Sequence, residues 1–178
     1  VVSTGPFAGR QVARALTSPM SERLRVMTYN VHGCVGVDRR LDPARIAAVI
    51  GRHAPDVVAL QELDVGRARS RGADQPRDLA ERLGYGVHYT SARDCESGTY
   101  GNAILTRHPF EVRSEGLLPV RRGEIRAVQW LRIQLPNETL DVLNTHLGLE
   151  RRERDLQVAT LLSADWLAHV ARADALVI

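Results

Sequence analysis

Lysine is absent: all 24 basic residues of the 178-residue chain are arginine. Arginine grips phosphate through a rigid bidentate fork, so the bias would suit a phosphate site. Genomic codon usage gives the same bias, and composition alone reveals no site. Aromatic residues are only 4% of the chain, which argues against a platform that stacks the bases of single strands. Two cysteines, Cys34 and Cys95, are too few for a disulfide framework. They fit a reducing compartment, and a cytoplasmic location is the expectation. No run approaches the roughly 18 apolar residues of a membrane span, so no stable span is expected. A Walker loop, a GxGxxG opening a helix and a GxSxG elbow are also missing, which removes the common signatures of nucleotide-loop, dinucleotide and serine-hydrolase chemistry.

A large excess of positive or negative charge is missing too. The net charge is +3, and Arg10 and Arg14 precede Met20 with no acid beside them. From Met20 onward the domain is close to neutral, so electrostatics make no case for nucleic acid. What is present is an ordinary apolar fraction of 44%, enough for one core. Residues 1–19 are rich in Ala, Ser, Gly and Pro without a period, and the chain begins with Val1. They read as an extension outside the domain, with 20–178 as the domain itself. A targeting segment is the alternative, but a secretory signal needs an unbroken apolar core of about 7–15 residues, and none is present.

Periodicity predicts a mixed order of elements. Leu24–Tyr29 reads as a strand ending in Asn30-Val-His-Gly. Asp42-Pro43 reads as N-cap and first residue of a helix whose apolar face is Ile46, Ala47, Val49 and Ile50. Asp56–Leu60 is a short apolar run, predicted as a strand buried on both faces. The polar stretch Asp64–Asp74 reads as a loop, and Gln75–Leu83 as a helix closed by Gly84. Val87–Thr90 and Ala103–Thr106 are strand candidates around a polar loop, Ser91–Gly101. Phe110–Leu118 and Arg126–Leu135 read as strands, and Pro136-Asn137-Glu138 as a hairpin turn into Thr139–Asn144. Glu150–Ala171 is predicted as the longest helix, with Leu156, Ala159, Leu162, Trp166 and Val170 as its apolar stripe. Asp174–Ile178 begins another strand. Strands that alternate with helices, mixed with hairpins, imply a layered α+β sandwich with mixed sheets.

Several polar residues sit where chemistry is built. Glu62 directly follows a buried strand. A buried unpaired carboxylate costs several kcal/mol, so Glu62 must be paired, metal-bound or exposed. Asn30 also follows an apolar strand; its amide oxygen suits Mg²⁺ or Mn²⁺, or it is a turn residue. His146 ends a third strand in Leu143-Asn-Thr-His, where it could hydrogen-bond a phosphoryl oxygen or be structural. Asn102 in Tyr100-Gly-Asn could donate to a phosphate or mark a turn, and Gly101 permits close backbone approach. Glu124 and Arg126 share a face of an extended chain and could orient a phosphate or pair with each other. The Arg67–Arg77 stretch could meet a polyanion or simply be solvated. His32-Gly-Cys34 invites a zinc reading, but zinc needs ligand pairs that the sequence does not supply.

In order along the chain, Met27-Thr-Tyr-Asn30-Val-His-Gly, Asp56-Val-Val-Ala-Leu-Gln-Glu62, Tyr100-Gly-Asn102-Ala-Ile-Leu-Thr-Arg-His-Pro109, Glu124-Ile-Arg126-Ala and Leu143-Asn-Thr-His146-Leu resemble the endonuclease/exonuclease/phosphatase superfamily. The resemblance implies a four-layer α/β/β/α sandwich with the site at one rim of two packed sheets, and a Mg²⁺- or Mn²⁺-dependent phosphoester hydrolase acting by in-line attack of water. It implies Glu62 and Asn30 on the metal, Tyr100, Asn102 and Arg126 around the substrate phosphate, and His146 hydrogen-bonding that phosphate. The family's later Gly-Asp-Phe-Asn-type and Ser-Asp-His-type segments, which supply the general base and a second His, have no counterpart in this sequence. The expectation is therefore the amino-terminal part of such a domain, truncated at the carboxyl end, inactive alone and monomeric when complete. The alternative is a non-catalytic binding module or a subunit completed by a partner. The substrate stays open among nucleic acid, a phospholipid head group and an inositol phosphate.

Overall fold

A computed structural model describes residues 23–169 and 175–177. The first helix, α1 (Pro43–His53), starts where its local chemistry dictates: Asp42 Oδ1 accepts the Arg45 N–H at 3.0 Å, and Pro43 occupies the first turn, where its missing N–H costs nothing. The second, α2 (Gln75–Leu83), is capped in the same way by Asp74 and closed by Gly84 in the left-handed conformation. Both spans agree with the sequence reading.

Among the described residues eight strands form two four-stranded sheets. The first has the order β1 (Val26–Asn30), β2 (Val57–Val65), β4 (Gly98–Thr106), β3 (Gly86–Cys95). In it β1 and β2 are parallel, while β2–β4 and β3–β4 are antiparallel. The second sheet runs β5 (Phe110–Leu118), β6 (Arg126–Gln134), β7 (Thr139–Thr145), β8 (Ala175–Val177), with only the β7–β8 pair parallel. Helices α1 and α2 cover the outer face of the first sheet through Ile46, Ile50, Leu60, Leu63, Leu79 and Leu105. The helix α3 (Arg151–Leu161) and Trp166 lie against the second sheet with Leu118, Val128, Trp130 and Leu143. The result is the four-layer α/β/β/α sandwich with mixed sheets that the motif order implied.

Between the sheets the interior changes character along its length. At one end Val57, Ile104, Leu131, Ile133 and Val142 make an apolar core. Further along the same strands the facing positions become Gln61, Asn102, Gln129 and Asn144, all buried. Polar groups this deep call for hydrogen bonds, and most have them; Gln129 Oε1 accepts from Thr90 at 3.3 Å, while its Nε2 finds no partner among the described residues. Gln61 Nε2 donates to Asn144 Oδ1 at 2.9 Å, and Asn144 Nδ2 donates to the carbonyls of Leu60 and Ala103 at 3.1 and 3.0 Å. The polar end fixes the rim on which the candidate site stands.

Three predicted elements need correction. The stretch Ser91–Gly101 is not a loop: β3 and β4 continue through it as one long hairpin turning at Glu96–Ser97. Strand β2 continues past Leu60 to Val65, so the loop from Asp64 begins later and carries a 3₁₀ turn at Ala68–Ser70. The last helix ends at Leu161, no longer than α1, and its buried residues are Glu153, Gln157 and Leu161, while Leu156, Ala159 and Leu162 face solvent. Hydrogen bonds chose that face: Gln157 accepts from the Gly148 N–H at 2.8 Å and donates to the Pro119 carbonyl at 3.3 Å. Of the predicted stripe only Trp166 is buried, and Val170 lies outside the described residues. Among the described residues no helix is long and apolar enough to cross a membrane.

Candidate active site

Strict alternation along β2 would send Val58, Leu60, Glu62 and Asp64 to one face, the face covered by α1 and α2. The strand avoids burying that carboxylate with a β-bulge. Leu60 pairs with Ala103 and Leu63 with Gly101, so Gln61 and Glu62 together oppose Asn102. Leu63 takes the next core position, and Glu62 turns out to the rim with φ of 64°. A non-glycine residue there is strained by of order 1–3 kcal/mol and persists only where its surroundings over-determine it.

Those surroundings are specific. Asn30, the last residue of β1, donates from Nδ2 to Glu62 Oε1 at 2.8 Å, while its own Oδ1 accepts the His32 N–H at 3.0 Å. His32 Nδ1 lies 3.2 Å from Glu62 Oε2, and His146 Nδ1 lies 3.7 Å from Oε1. Burial pushes the Glu62 carboxyl up, but the Asn30 amide, His32 and His146 together outweigh it and hold the group below the ordinary carboxylate range. His32, Gly33 and Cys34 all have positive φ, a left-handed turn pinned from below. Gln75 at the start of α2 donates to the Gly33 carbonyl at 2.6 Å and accepts the Asp64 N–H at 2.9 Å.

Across the rim, Arg126 opens β6 and His146 follows β7. Arg126 is buried, and its Nη1 lies 3.3 Å from His146 Nδ1 and 3.3 Å from Glu124 Oε2. Thus Glu124 and Arg126 do pair, and they do so at the site. Arg126 Nε finds no partner among the described residues, so it holds an unused buried donor. Burial, and then the Arg126 charge, lower the pKa of His146, opposed by Glu62 and Glu124.

The structure brings Asn30, Glu62, His146 and Arg126 into one continuous set of contacts. Tyr100 lines the same cleft as Glu62, a space of about 420 Å³. Burial, followed by the Glu62 and Glu124 charges, raises the Tyr100 pKa, so its hydroxyl stays a donor. Asn102 lies deeper, almost wholly buried, with Nδ2 donating to the Ala127 carbonyl at 3.1 Å across the sheets. The sequence reading missed the supporting residues: Gln61, Asn144 and Gln75, and Asp64 with its two arginines. Gln61 and Asn144 each flank a site residue or its neighbour in the quoted motifs, the one signal that could have found them.

Two metal readings can be weighed on this geometry. Cys34 is wholly buried in the core under α1, where burial, reinforced by Asp78, Asp64 and Asp42, pushes its thiol up to about 12. Sealed among apolar side chains, it belongs to no cluster of three or more His, Cys, Asp or Glu among the described residues that could hold zinc. For Mg²⁺ or Mn²⁺ the donor set fits: such ions take one or two carboxylates and keep several waters, so they do not need the cluster of three or more His, Cys, Asp or Glu side chains that is absent among the described residues. Glu62 supplies one carboxylate at a water-accessible rim, and the His32 side chain on its Oε2 is 80% exposed, free to turn aside.

The sequence model of the Endonuclease/Exonuclease/phosphatase family matches residues 27–176. The uncharacterized protein YbhP of Escherichia coli K12 is 28% identical over 160 residues, covering 80% of this chain and 60% of its own length. Exodeoxyribonuclease III of Haemophilus influenzae is 30% identical over 102 residues, 56% of this chain and 30% of that protein. A crystal structure of an endonuclease/exonuclease/phosphatase from Beutenbergia cavernae superposes with a TM-score of 0.62 at 29% identity, covering 78% of this chain and 43% of the other. Truncated Caenorhabditis elegans TDP2 gives 0.60 at 26% identity, over 86% and 59%. The chain thus spans about 60% of the length of the first of these relatives.

Proposed function

The chain belongs to the endonuclease/exonuclease/phosphatase family, and on that premise we propose that it carries the metal-binding carboxylate and part of the phosphate cradle of a Mg²⁺- or Mn²⁺-dependent phosphoester hydrolase. The observation that carries this reading is Glu62. A bulge at φ 64° turns its carboxylate out of the core and into the reach of Asn30, His32 and His146.

Glu62 would hold the ion, and Asn30 would act on it mainly by orienting that carboxylate, since its amide oxygen is engaged by the His32 N–H. The ion, when bound, polarises a phosphoryl oxygen and offsets leaving-group charge. The remaining work falls to the chain's own side chains. Arginine is always a donor, so contact with Arg126 makes His146 Nδ1 the acceptor and leaves the hydrogen on Nε2. A neutral imidazole in that tautomer donates to a phosphoryl oxygen without adding a charge. Arg126 contributes the fixed positive charge beside it, and Tyr100 a protonated hydroxyl. Asn102 supports this cradle from beneath, by tying β4 to β6 under the bulge. No aspartate in the sequence is assigned the activation of water.

Mn²⁺ binding, read by electron paramagnetic resonance, tests the reading without requiring turnover. Wild-type protein is expected to bind Mn²⁺ and to lose the resonance of the free ion. Glu62→Gln should weaken that binding by about tenfold or more, with circular dichroism unchanged. Equal Mn²⁺ affinity in the folded Glu62→Gln protein would remove Glu62 from the metal site.

A further inference from the structure

Beyond Glu62 the cleft has a second wall that the proposed hydrolysis does not use. Asp64 lies two residues further along β2, and its side chain is only 1% exposed. Two arginines from the following turn reach it. Arg69 grips it in a fork, Nε to Oδ2 and Nη2 to Oδ1, both at 2.7 Å, and Arg67 Nη1 reaches Oδ1 at 3.2 Å. One guanidinium suffices to neutralise a buried carboxylate, so the trio leaves one positive charge uncompensated. The fork occupies two of the five N–H donors of Arg69, whose side chain is 55% exposed on the cleft.

These donors are held in place. The Tyr100 ring stands beside both guanidiniums, 5.4 Å from Arg69 and 6.0 Å from Arg67, so cation–π attraction and the Asp64 fork restrict the same planes. Arg93 of β3 lines the cleft as well, exposed and in none of the ion pairs formed among the described residues. A solvated surface loop would leave long arginines free. Here two are preorganised by a buried acid and an aromatic ring, at the mouth of the cleft that holds Glu62.

We propose that Arg67, Arg69 and Arg93 form a second anion subsite, which takes a phosphate group neighbouring the one that is hydrolysed. The subsite rests on the hydrolase reading and narrows it: the substrate class is a phosphoester that carries at least two phosphate groups. Guanidinium donors favour a phosphate anion over a neutral substituent, and a divalent ion on Glu62 adds charge of the same sign beside them.

Calorimetric titration in EDTA isolates this subsite from metal binding. The probes are thymidine 3′,5′-bisphosphate against thymidine 5′-phosphate, and inositol 1,4-bisphosphate against inositol 1-phosphate. At least one bisphosphate is expected to bind about tenfold or more tightly than its monophosphate partner. The pair that discriminates tells whether the second phosphate comes from a nucleic-acid backbone or a phosphorylated ring. That preference should fall severalfold in Arg69→Gln and in Arg93→Gln; the latter removes an exposed side chain that forms no ion pair among the described residues, and is expected to leave the fold untouched. Glu62→Gln should retain it, so loss of the metal site and loss of the subsite are separable. Equal binding of mono- and bisphosphate in both pairs, or a preference that survives both arginine substitutions, would overturn the proposal.

Discussion

Arg126 Nη1 stands 3.3 Å from His146 Nδ1, closer than Glu62 Oε1 at 3.7 Å. The shorter contact is the one with hydrogen-bond length, and burial, followed by that Arg126 charge, disfavours the protonated imidazole. Both His146 and Glu62 titrate below their ordinary values of 6.5 and 4.5. In each case the unfolded chain binds protons that the folded one refuses, so stability rises with pH through both windows. It is complete above 6.5 and is lost in acid, first as pH falls below 6.5 through the His146 range and then below 4.5 through that of Glu62. Urea midpoints measured against pH should show both declines. His146→Gln should erase the upper one and shrink the lower without abolishing it, because Asn30 and His32 still hold the Glu62 carboxyl down; an unchanged profile in that variant would contradict the assignment.

Asn144 joins the sheets through three contacts: it accepts from Gln61 Nε2 and donates to the carbonyls of Leu60 and Ala103. Asn144→Ala leaves two buried carbonyls without this donor, at about 1–3 kcal/mol for each group left unsatisfied. The expected loss is therefore about 2–5 kcal/mol in equilibrium unfolding. A loss below about 0.5 kcal/mol, the scale of a surface substitution, would mean that the sheets are not held at this point.

Gly101 lies in β4 opposite Leu63, just past the bulge. A Cβ there would come within 2.1 Å of the Thr90 carbonyl oxygen, a backbone atom that cannot step aside. Gly101→Ala is expected to cost about 1–3 kcal/mol or more and to disturb the bulge beside Glu62. Weakened Mn²⁺ binding in a still-folded Gly101→Ala protein would report that disturbance, whereas wild-type stability would refute the close approach.

Cys34 is sealed in the core with its thiol near 12, whereas Cys95 is partly exposed near the β3–β4 turn. A thiol reagent applied to native protein at pH 8 should modify one cysteine rapidly and the second only on unfolding. Mass spectrometry of the modified peptide should place the fast site at Cys95. Rapid labelling of Cys34 would mean that α1 opens readily from the sheet.

The sequence by itself determined what is local. Asp42-Pro43 and Asp74 with Gly84 fix α1 and α2, because caps act within a single turn of chain. Pro136-Asn137-Glu138 sets the β6–β7 hairpin for the same reason, and the ordered motifs named the family and the residues of its rim. Tertiary structure decided the rest. Nothing local tells Glu62 to adopt positive φ; Leu63 competes with it for one place under α1 and α2, and pairing with β4 settles the contest through the bulge. The Asp64–Asp74 stretch looked like a solvated loop because its acid and its arginines carry no periodicity. Only the burial of Asp64 gathers Arg67 and Arg69 onto it. In α3 the pattern of leucines pointed one way and the bonds of Gln157 to Gly148 and Pro119 turned the helix another. Each of these outcomes depends on burial that tertiary packing imposes: even the arginines three and five residues from Asp64 gather there only because the acid is buried, and a buried charge or amide must find a partner wherever the fold places one.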